Sequence, residues 1–597
     1  MESLQKILSS VSFDRLLSLI TAIDQVEKIA PSFKETAKIN FLRNFTIEGI
    51  DPFLKYYLYR EKIQPQLIFG NYDNVQQEIL DPQSHLHQNS PDAIVLALMP
   101  DHLSTDYLST HWDARETEQN LLKVFDLLQT NTQSLIIVNT FIPPFYSEQG
   151  VVIKGDKIFE IQRLNQVIRQ YITQHSSQFF LADWERFVRV LGEEKSMDYR
   201  YWYMSKAPFK KDFLQLFAFE IVKIIRALKG KSKKCLVLDC DNTLWGGILG
   251  EDGINGIKLD PHDYPGKTFY DFQQSVLHLI ERGVMIALCS KNNEQDVWDV
   301  LNNHPSCLLK PTHLSAWKIN WDDKASNISA LAKELNIGLD SFVFMDDSPM
   351  ECDLVRSTFP MVTVVPVPKK LFEYPSLLFK DGWFDTLTVS LEDKHRNTMY
   401  QIEVTRNKHL NGIENLNDYL SNLELVAIIH PMTSEEIQRV SQLTQKTNQF
   451  NLTTKRYSEI EIKAFANNSE RFIFTMTVED KFGPYGLTGI FMAQKTSEYI
   501  QVDSFLMSCR ILGRNLECAF VDYCMSYLEN QWGMNQWKSF YIPTPKNHQV
   551  ANFWEKFGFK AINCNDKLKE YYLNEGEKIK WELDYIKMIK DKNGTTN

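Results

Sequence analysis

Leu236-Val237-Leu238 runs directly into Asp239-Cys240-Asp241-Asn242-Thr243, an apolar stretch ending in D-x-D-x-T. The run Cys235–Leu238 predicts a buried strand of a parallel sheet. Such a strand presents its acids outside its carboxyl end, where open α/β sheets bind ligands. Two more apolar strands end in chemistry: Val284–Cys289 leads into Ser290-Lys291-Asn292, and Phe342–Met345 into Asp346-Asp347. Between them Lys324 precedes a helical pattern. A carboxylate such as Asp239 can attack a phosphoryl group and form an aspartyl-phosphate. Asp241 can protonate the leaving group and later deprotonate water, with Thr243 completing the motif. Ser290, Asn292 and Lys324 supply donors and positive charge to phosphoryl oxygens. Asp239, Asp241, Asp346 and Asp347 form a set of hard oxygen ligands suited to Mg²⁺. The bland alternative, solvated loop acids beside a strand-end serine, needs four ordered coincidences.

This ordered series resembles the haloacid dehalogenase (HAD) superfamily. The surrounding words narrow it: DCDNTLWGGILGEDG at Asp239–Gly253, CSKNN at Cys289–Asn293, INWDDK at Ile319–Lys324 and FVFMDDSPMEC at Phe342–Cys352. Across roughly Lys234–Pro368 they resemble the FkbH-like proteins of HAD subfamily IIIC. That resemblance implies a Mg²⁺-dependent phosphatase and glyceryl transferase of polyketide-type biosynthesis. It would move a glyceryl unit from 1,3-bisphosphoglycerate, its phosphorylated small-molecule donor, to the phosphopantetheine thiol of an acyl carrier protein, with loss of phosphate. One departure stands out: Cys352 occupies the position where the family carries arginine. Two other functions fit the same residues, a plain phosphatase acting on a sugar or small metabolite and an assembly protein with a vestigial phosphatase site. An intact Asp239/Asp241/Ser290/Lys324/Asp346 set argues against the last.

The elements that must position these residues predict a three-domain α/β chain. Met1–Pro31 is helical by periodicity, and short strands Ile39–Leu42, Leu67–Phe69, Ala93–Leu98 and Leu135–Val138 alternate with helices, the pattern of a parallel sheet. More helix follows from Leu181 to Leu228, then a basic link, Lys229–Lys234. The expected domains are 1–230 (SGNH- or flavodoxin-like, with a helical arm), 231–380 (HAD-like core), a helical connector at 381–415, centred on Leu391–His409, and 416–597. The HAD core has no room for a large cap beyond a helix Thr268–Arg282. Water must then be kept out by a neighbouring domain or a docked macromolecule.

In the last segment, strands Phe472–Val478, Gly489–Ala493 and Tyr499–Leu506 lead into Arg510-Ile511-Leu512-Gly513-Arg514-Asn515, a helix through Leu528, and Asn547-x(5)-Phe553-Trp554-x(3)-Gly558-Phe559. This resembles the GNAT acyltransferases, in which backbone N–H groups at a helix start hold the pyrophosphate of coenzyme A. The resemblance makes Arg510, Gly513, Arg514 and Asn547 candidates for binding coenzyme A or phosphopantetheine. Asn515 replaces a small residue of the phosphate loop, and Trp554 stands where a tyrosine commonly serves as general acid. Recognition of a phosphopantetheine arm or carrier surface is therefore expected in place of acyl transfer from coenzyme A. The N-terminal segment lacks a serine after its first strand, which ends in Arg43-Asn44-Phe45-Thr46, and Asp183-Trp184-Glu185-Arg186 lacks a histidine. That favours a scaffold over an esterase, with Asn139 as a turn residue or an oxyanion donor. Cys240, Cys289 and Cys352 are candidate thioester nucleophiles, although alternation turns Cys240 away from the aspartates.

A net charge of −11 argues against nucleic-acid and anionic-membrane partners. The nine cysteines, all from Cys235 onward and without a C-x-x-C pair, read as reduced thiols of a cytoplasmic protein. The N-terminus carries acids and lacks the form of a secretory signal, and no apolar stretch approaches the ~20 residues of a membrane span.

Overall fold

The computed structural model describes residues 2–590 apart from 30–32, 34, 110–111, 152–155, 395–398, 400–419, 582 and 584. The chain forms two compact units, Met1–Arg226 and Ala227–Asn597. The first is built on a five-stranded sheet in the order β2-β1-β3-β4-β5, with β1 Glu35–Arg43, β2 Ile63–Phe69, β3 Ala93–Ala97, β4 Leu135–Asn139 and β5 Phe179–Ala182. Every pairing is parallel. The expected N-terminal helix is two helices, Glu2–Ser9 and Leu16–Ile29. The helix-rich stretch after Leu181 holds, but β5 was not anticipated, since a short apolar run beside helix cannot be told from a helix segment by periodicity alone.

The second unit holds two sheets. The first has the order β10-β9-β6-β7-β8, from β6 Cys235–Leu238, β7 Met285–Ser290, β8 Ala316–Ile319, β9 Phe342–Asp346 and β10 Thr363–Pro366, again all parallel. Its central strands are buried on both faces by alternation. Leu236, Leu238, Ile286, Leu288, Val343 and Met345 pack on one side, and Cys235, Val237, Ala287, Phe342 and Phe344 on the other. Each fully buried side chain of this kind is worth about 1.5–3 kcal/mol, so register is strongly specified. Between Asp239 and Ser290 stand only the short helix Leu249–Asp252 and the helix Gly266–Glu281, with no inserted domain.

The other sheet is eight-stranded and mixed, in the order β16-β17-β15-β14-β13-β12-β11-β18. Its strands are β11 Leu425–Pro431, β12 Arg471–Asp480, β13 Gly483–Lys495, β14 Ile500–Met507, β15 Trp537–Tyr541, β16 Lys560–Cys564, β17 Lys569–Leu573 and β18 Ile586–Lys590. β14 and β15 run parallel and pair through only two residue positions, so the sheet splays there. Of the expected connector, residues 381–390 are turn and coil, Leu391–Lys394 is helical, and nearly all the rest lies outside the described residues. No helix among the described residues is long and apolar enough to cross a membrane.

Candidate functional site

Register brings the acids together. Leu238 pairs with Leu288 on one side and Met345 on the other, and the Asp239 N–H extends the ladder by donating to the Met345 carbonyl at 3.0 Å. Asp239 therefore emerges beside Asp346, the last residue of β9. Lys324 begins the helix Lys324–Glu334, capped by Asp323, whose carboxylate accepts the Ser326 N–H. From there its Nζ donates to Asp239 Oδ1 at 2.7 Å and to Asp346 Oδ2 at 2.5 Å. All three side chains are buried. The other Asp346 oxygen accepts the Ser348 N–H at 2.9 Å. Asp347 stands at the open edge, and one oxygen from each of Asp239, Asp346 and Asp347 lies within 4.8 Å of the others.

The electrostatics of this group are unbalanced. Burial, reinforced by the Asp346 charge and opposed by Lys324, pushes the Asp239 carboxyl up to about 6. Asp346 and Asp347 are raised as well, chiefly by burial. Burial works against the Lys324 ammonium, but the two carboxylates outweigh it and hold its pKa above the ordinary lysine value. Three carboxylates share one ammonium, a shortfall of positive charge that a divalent cation would meet with the all-oxygen ligands it prefers. The donor set fits Mg²⁺.

Asp241 is not part of that cluster. Its Oδ1 accepts Trp245 Nε1 at 3.0 Å and the Leu249 N–H at 3.1 Å, and its Oδ2 accepts Asn292 Nδ2 at 3.0 Å. Asn292 also reaches Ser290 Oγ at 3.2 Å, so the ends of β6 and β7 are joined through Asp241, Asn292 and Ser290. Thr243 is fully buried; its carbonyl accepts the Tyr374 hydroxyl at 2.8 Å and its own hydroxyl has no partner among the described residues. Asn242 adopts a left-handed conformation and accepts the Gly247 N–H, which turns the chain sharply after Asp241.

Sequence reasoning missed Glu351. It is 5% exposed and pairs with Lys291 Nζ at 2.7 Å, tying the end of β7 to the helix Pro349–Thr358. The signal was present, because both residues lie within the quoted motifs, but nothing in their spacing links them. Cys352, in the arginine's place, packs its buried thiol against the Asp346 carbonyl at 3.5 Å. Burial raises the Cys352 and Cys289 thiols to about 11 and about 12, and raises Cys240 further still. Cys240 packs with Leu236, Leu238 and Trp245, on the face opposite Val237, as alternation requires.

The other candidates turn inward. Asn139 accepts the Leu98 N–H and donates to the Leu98 and Thr140 carbonyls, fastening β4 to the end of β3. Those bonds occupy it at the last position of β4, within the strand and not in a turn. In the mixed sheet, Arg514 donates to the Arg510 carbonyl at 2.6 Å and lies over the Tyr485 ring. Gly513 has a positive φ of 81° with open space around it. Asn547 accepts from Tyr541 and Thr544 and donates to the Asn451 and Ile542 carbonyls, so its amide is spent on the loop. Asn515 begins the helix Leu516–Trp532 with φ 57° and donates to the Tyr585 hydroxyl. Trp554 is buried, its Nε1 bonded to the Phe540 carbonyl at 3.2 Å.

With this geometry in place, comparison with known proteins is informative. Residues 47–226 match the family model described as FkbH, N-terminal domain. The crystal structure of the N-terminal part of the protein BF1531 from Bacteroides fragilis, which contains a phosphatase domain and is complexed with Mg, is 26% identical. It covers 63% of this chain and 100% of its own, with a TM-score of 0.56. The resemblance to the FkbH-like proteins holds. The N-terminal unit carries the FkbH match, and the similar crystal structure contains a phosphatase domain. The ribosomal-protein-S18-alanine N-acetyltransferase from Escherichia coli is 14% identical, covering 26% of this chain and 97% of its own at a TM-score of 0.20. No curated protein matches the chain.

Proposed function

We propose that this FkbH-like chain loads a glycerate-derived unit from 1,3-bisphosphoglycerate onto the phosphopantetheine thiol of an acyl carrier protein. The observation that carries the phosphoryl half of this reading is the buried Asp239–Lys324–Asp346 group with Asp347 at its open edge. Two bonds must break. The acyl phosphate is already activated, so attack of a thiol on its carbonyl carbon expels one phosphate without help from a carboxylate nucleophile. The remaining phosphate ester needs one: Asp239 attacks phosphorus, the P–O bond to the glyceryl oxygen breaks, and water later releases phosphate from the aspartyl-phosphate. Lys324 steadies Asp239 and Asp346, and the proton is given and taken by Asp241, whose carboxylate here accepts bonds from Trp245, Leu249 and Asn292. Asp239, Asp346 and Asp347 would hold Mg²⁺, which when bound neutralises charge on the phosphoryl oxygens. No inserted domain covers the end of β6, which suits a phosphate carried on a long arm.

Mass spectrometry of a holo carrier protein incubated with this protein, Mg²⁺ and 1,3-bisphosphoglycerate tests the reading. A glyceryl adduct on the phosphopantetheine supports it. Phosphate release with an unmodified carrier favours the second reading, a phosphatase for a free small metabolite, for which the phosphatase domain of the BF1531 fragment speaks.

A further inference from the structure

A cavity of about 330 Å³ lies at the joint between the two sheets of the second unit. The parallel sheet contributes Lys234, Met285 and the stretch Asn336–Ser341, and the mixed-sheet side contributes Arg439, Lys446, Ser508, Arg510 and Lys546. Lys234, Met285 and Ser341 stand at the amino starts of β6, β7 and β9, whereas Asp239, Ser290 and Asp346 stand at the carboxyl ends. The strand from Lys234 to Asp239 spans roughly 16 Å of extended chain. The cavity is thus at the opposite pole of the sheet from the phosphoryl site.

Its walls are fixed by contacts across the joint. Asn336 Nδ2 donates to the Cys509 carbonyl at 2.9 Å, Lys234 Nζ to the Lys446 carbonyl at 2.6 Å, and Lys546 pairs with Asp340. Among the described residues its charge is one-sided: five cationic side chains, those of Lys234, Arg439, Lys446, Arg510 and Lys546, face it against Asp340 and Glu392. Asp340 is spent on Lys546, Glu392 lies 3.8 Å from Arg439 Nε, and Lys446 is paired with Asp393 at 3.0 Å.

Arg510 is the exception. It is 8% exposed, its Nε reaches Ser508 Oγ at 3.3 Å, one terminal nitrogen lies 2.7 Å from the Met399 sulfur, and no carboxylate pairs with it among the described residues. A guanidinium withdrawn from water without a counter-charge is costly, and its planar fork suits phosphate oxygens. The field in the cavity is positive enough that Asp340, despite the opposing effect of burial, is held below its ordinary value by Lys546, Lys234 and Lys233.

We propose that this cavity binds the phosphate of a small organic phosphate, with Arg510 as its principal anchor, independently of the Asp239 site. The volume exceeds that of a lone phosphate and falls at the small end of ligand pockets. Met285, Ile337 and Leu443 give the organic body an apolar wall. A free phosphorylated metabolite and a phosphopantetheine arm share this chemistry. The inference goes beyond the loading reaction and stands if that reading fails.

Calorimetric titration of the full chain in EDTA, with pyrophosphate and with phosphopantetheine, tests it. Wild-type protein should bind, and Arg510→Met should weaken binding about tenfold or more, the worth of a charge-assisted bond. Gln449→Trp, which adds bulk to the cavity wall and keeps the arginine, should weaken it as well and decides alone if Arg510→Met does not fold by circular dichroism. Phosphopantetheine binding about tenfold tighter than pyrophosphate assigns the cavity to the arm, and comparable affinities assign it to a free metabolite. Absence of binding to wild type, or undiminished binding to both folded variants, overturns the proposal.

Discussion

The ends of β6, β7 and β9 and the loop from Arg510 to Asn515 are both sites that motifs single out, yet they use their polar residues in opposite ways. At the strand ends Asp239, Lys324 and Asp346 converge within hydrogen-bond distance and leave Asp347 at an open edge. In the mixed sheet Arg514, Asn547 and Trp554 spend their polar atoms on neighbouring backbone. The first arrangement keeps unbalanced charge where a ligand can meet it. The second spends most of these polar groups on its own backbone, which limits the cost of desolvation, while Arg510 of the same loop meets no carboxylate among the described residues. Residues singled out by a motif converge on one centre at the strand ends, whereas in the mixed sheet Arg514, Asn547 and Trp554 serve the architecture around Arg510.

The largest effect that bears on this contrast is at the nucleophile. Asp239→Asn should reduce release of phosphate from a phosphate ester by on the order of a thousandfold or more. Steady-state assays under saturating Mg²⁺ check it, and a near wild-type rate breaks the chemical side of the comparison. Next comes the metal. EDTA should abolish activity and Mg²⁺ restore it, while Asp346→Ala should raise the Mg²⁺ concentration needed at least about tenfold, read from a Mg²⁺ titration of rate. An unchanged titration removes Asp346 from the ligand set. The architectural side is tested by Trp554→Ala, expected to destabilise the second unit by about 3–5 kcal/mol in denaturant melts. Trp554→Tyr should produce no turnover of acetyl-coenzyme A with an amine acceptor, because that position faces the core. The smallest effect is that of Asn547→Ala, which removes four loop bonds and should cost about 1–3 kcal/mol in the same melts. A stable Asn547→Ala protein that has lost phosphopantetheine binding would return that residue to a ligand-binding part.

The strand-end site was legible because a parallel strand buried on both faces reads as an apolar run, and its carboxyl end is where function must sit. Cys235–Leu238 and Phe342–Met345 needed only their flanking acids to declare a site. Lys324 was legible because it precedes a helical pattern between two strand-end motifs, and the helix does begin there, capped by Asp323. Glu351 was not, since its pairing with Lys291 is set by tertiary packing. β8 and β5, as short as β6, were not legible, because runs of that length cannot be told from helix segments by periodicity alone. Asp241 shows the limit within the motif: the sequence pairs it with Asp239, but successive carboxylates of a D-x-D need not share a target. The sharp turn at Asn242 delivers Asp241 to Trp245, Leu249 and Asn292, away from the metal-type cluster. Arg510 and Arg514, which the resemblance makes candidates for binding coenzyme A or phosphopantetheine, are both buried, and their direction depends on the sheet packed against them.

Acid-quenched peptide mass spectrometry during turnover of a phosphate ester with Mg²⁺ tests the central claim most directly. The account predicts a phosphoryl adduct on the peptide containing Asp239, absent in the Asp239→Asn protein. Undiminished turnover with no adduct on that peptide, or an adduct on another residue that persists in Asp239→Asn, would contradict it.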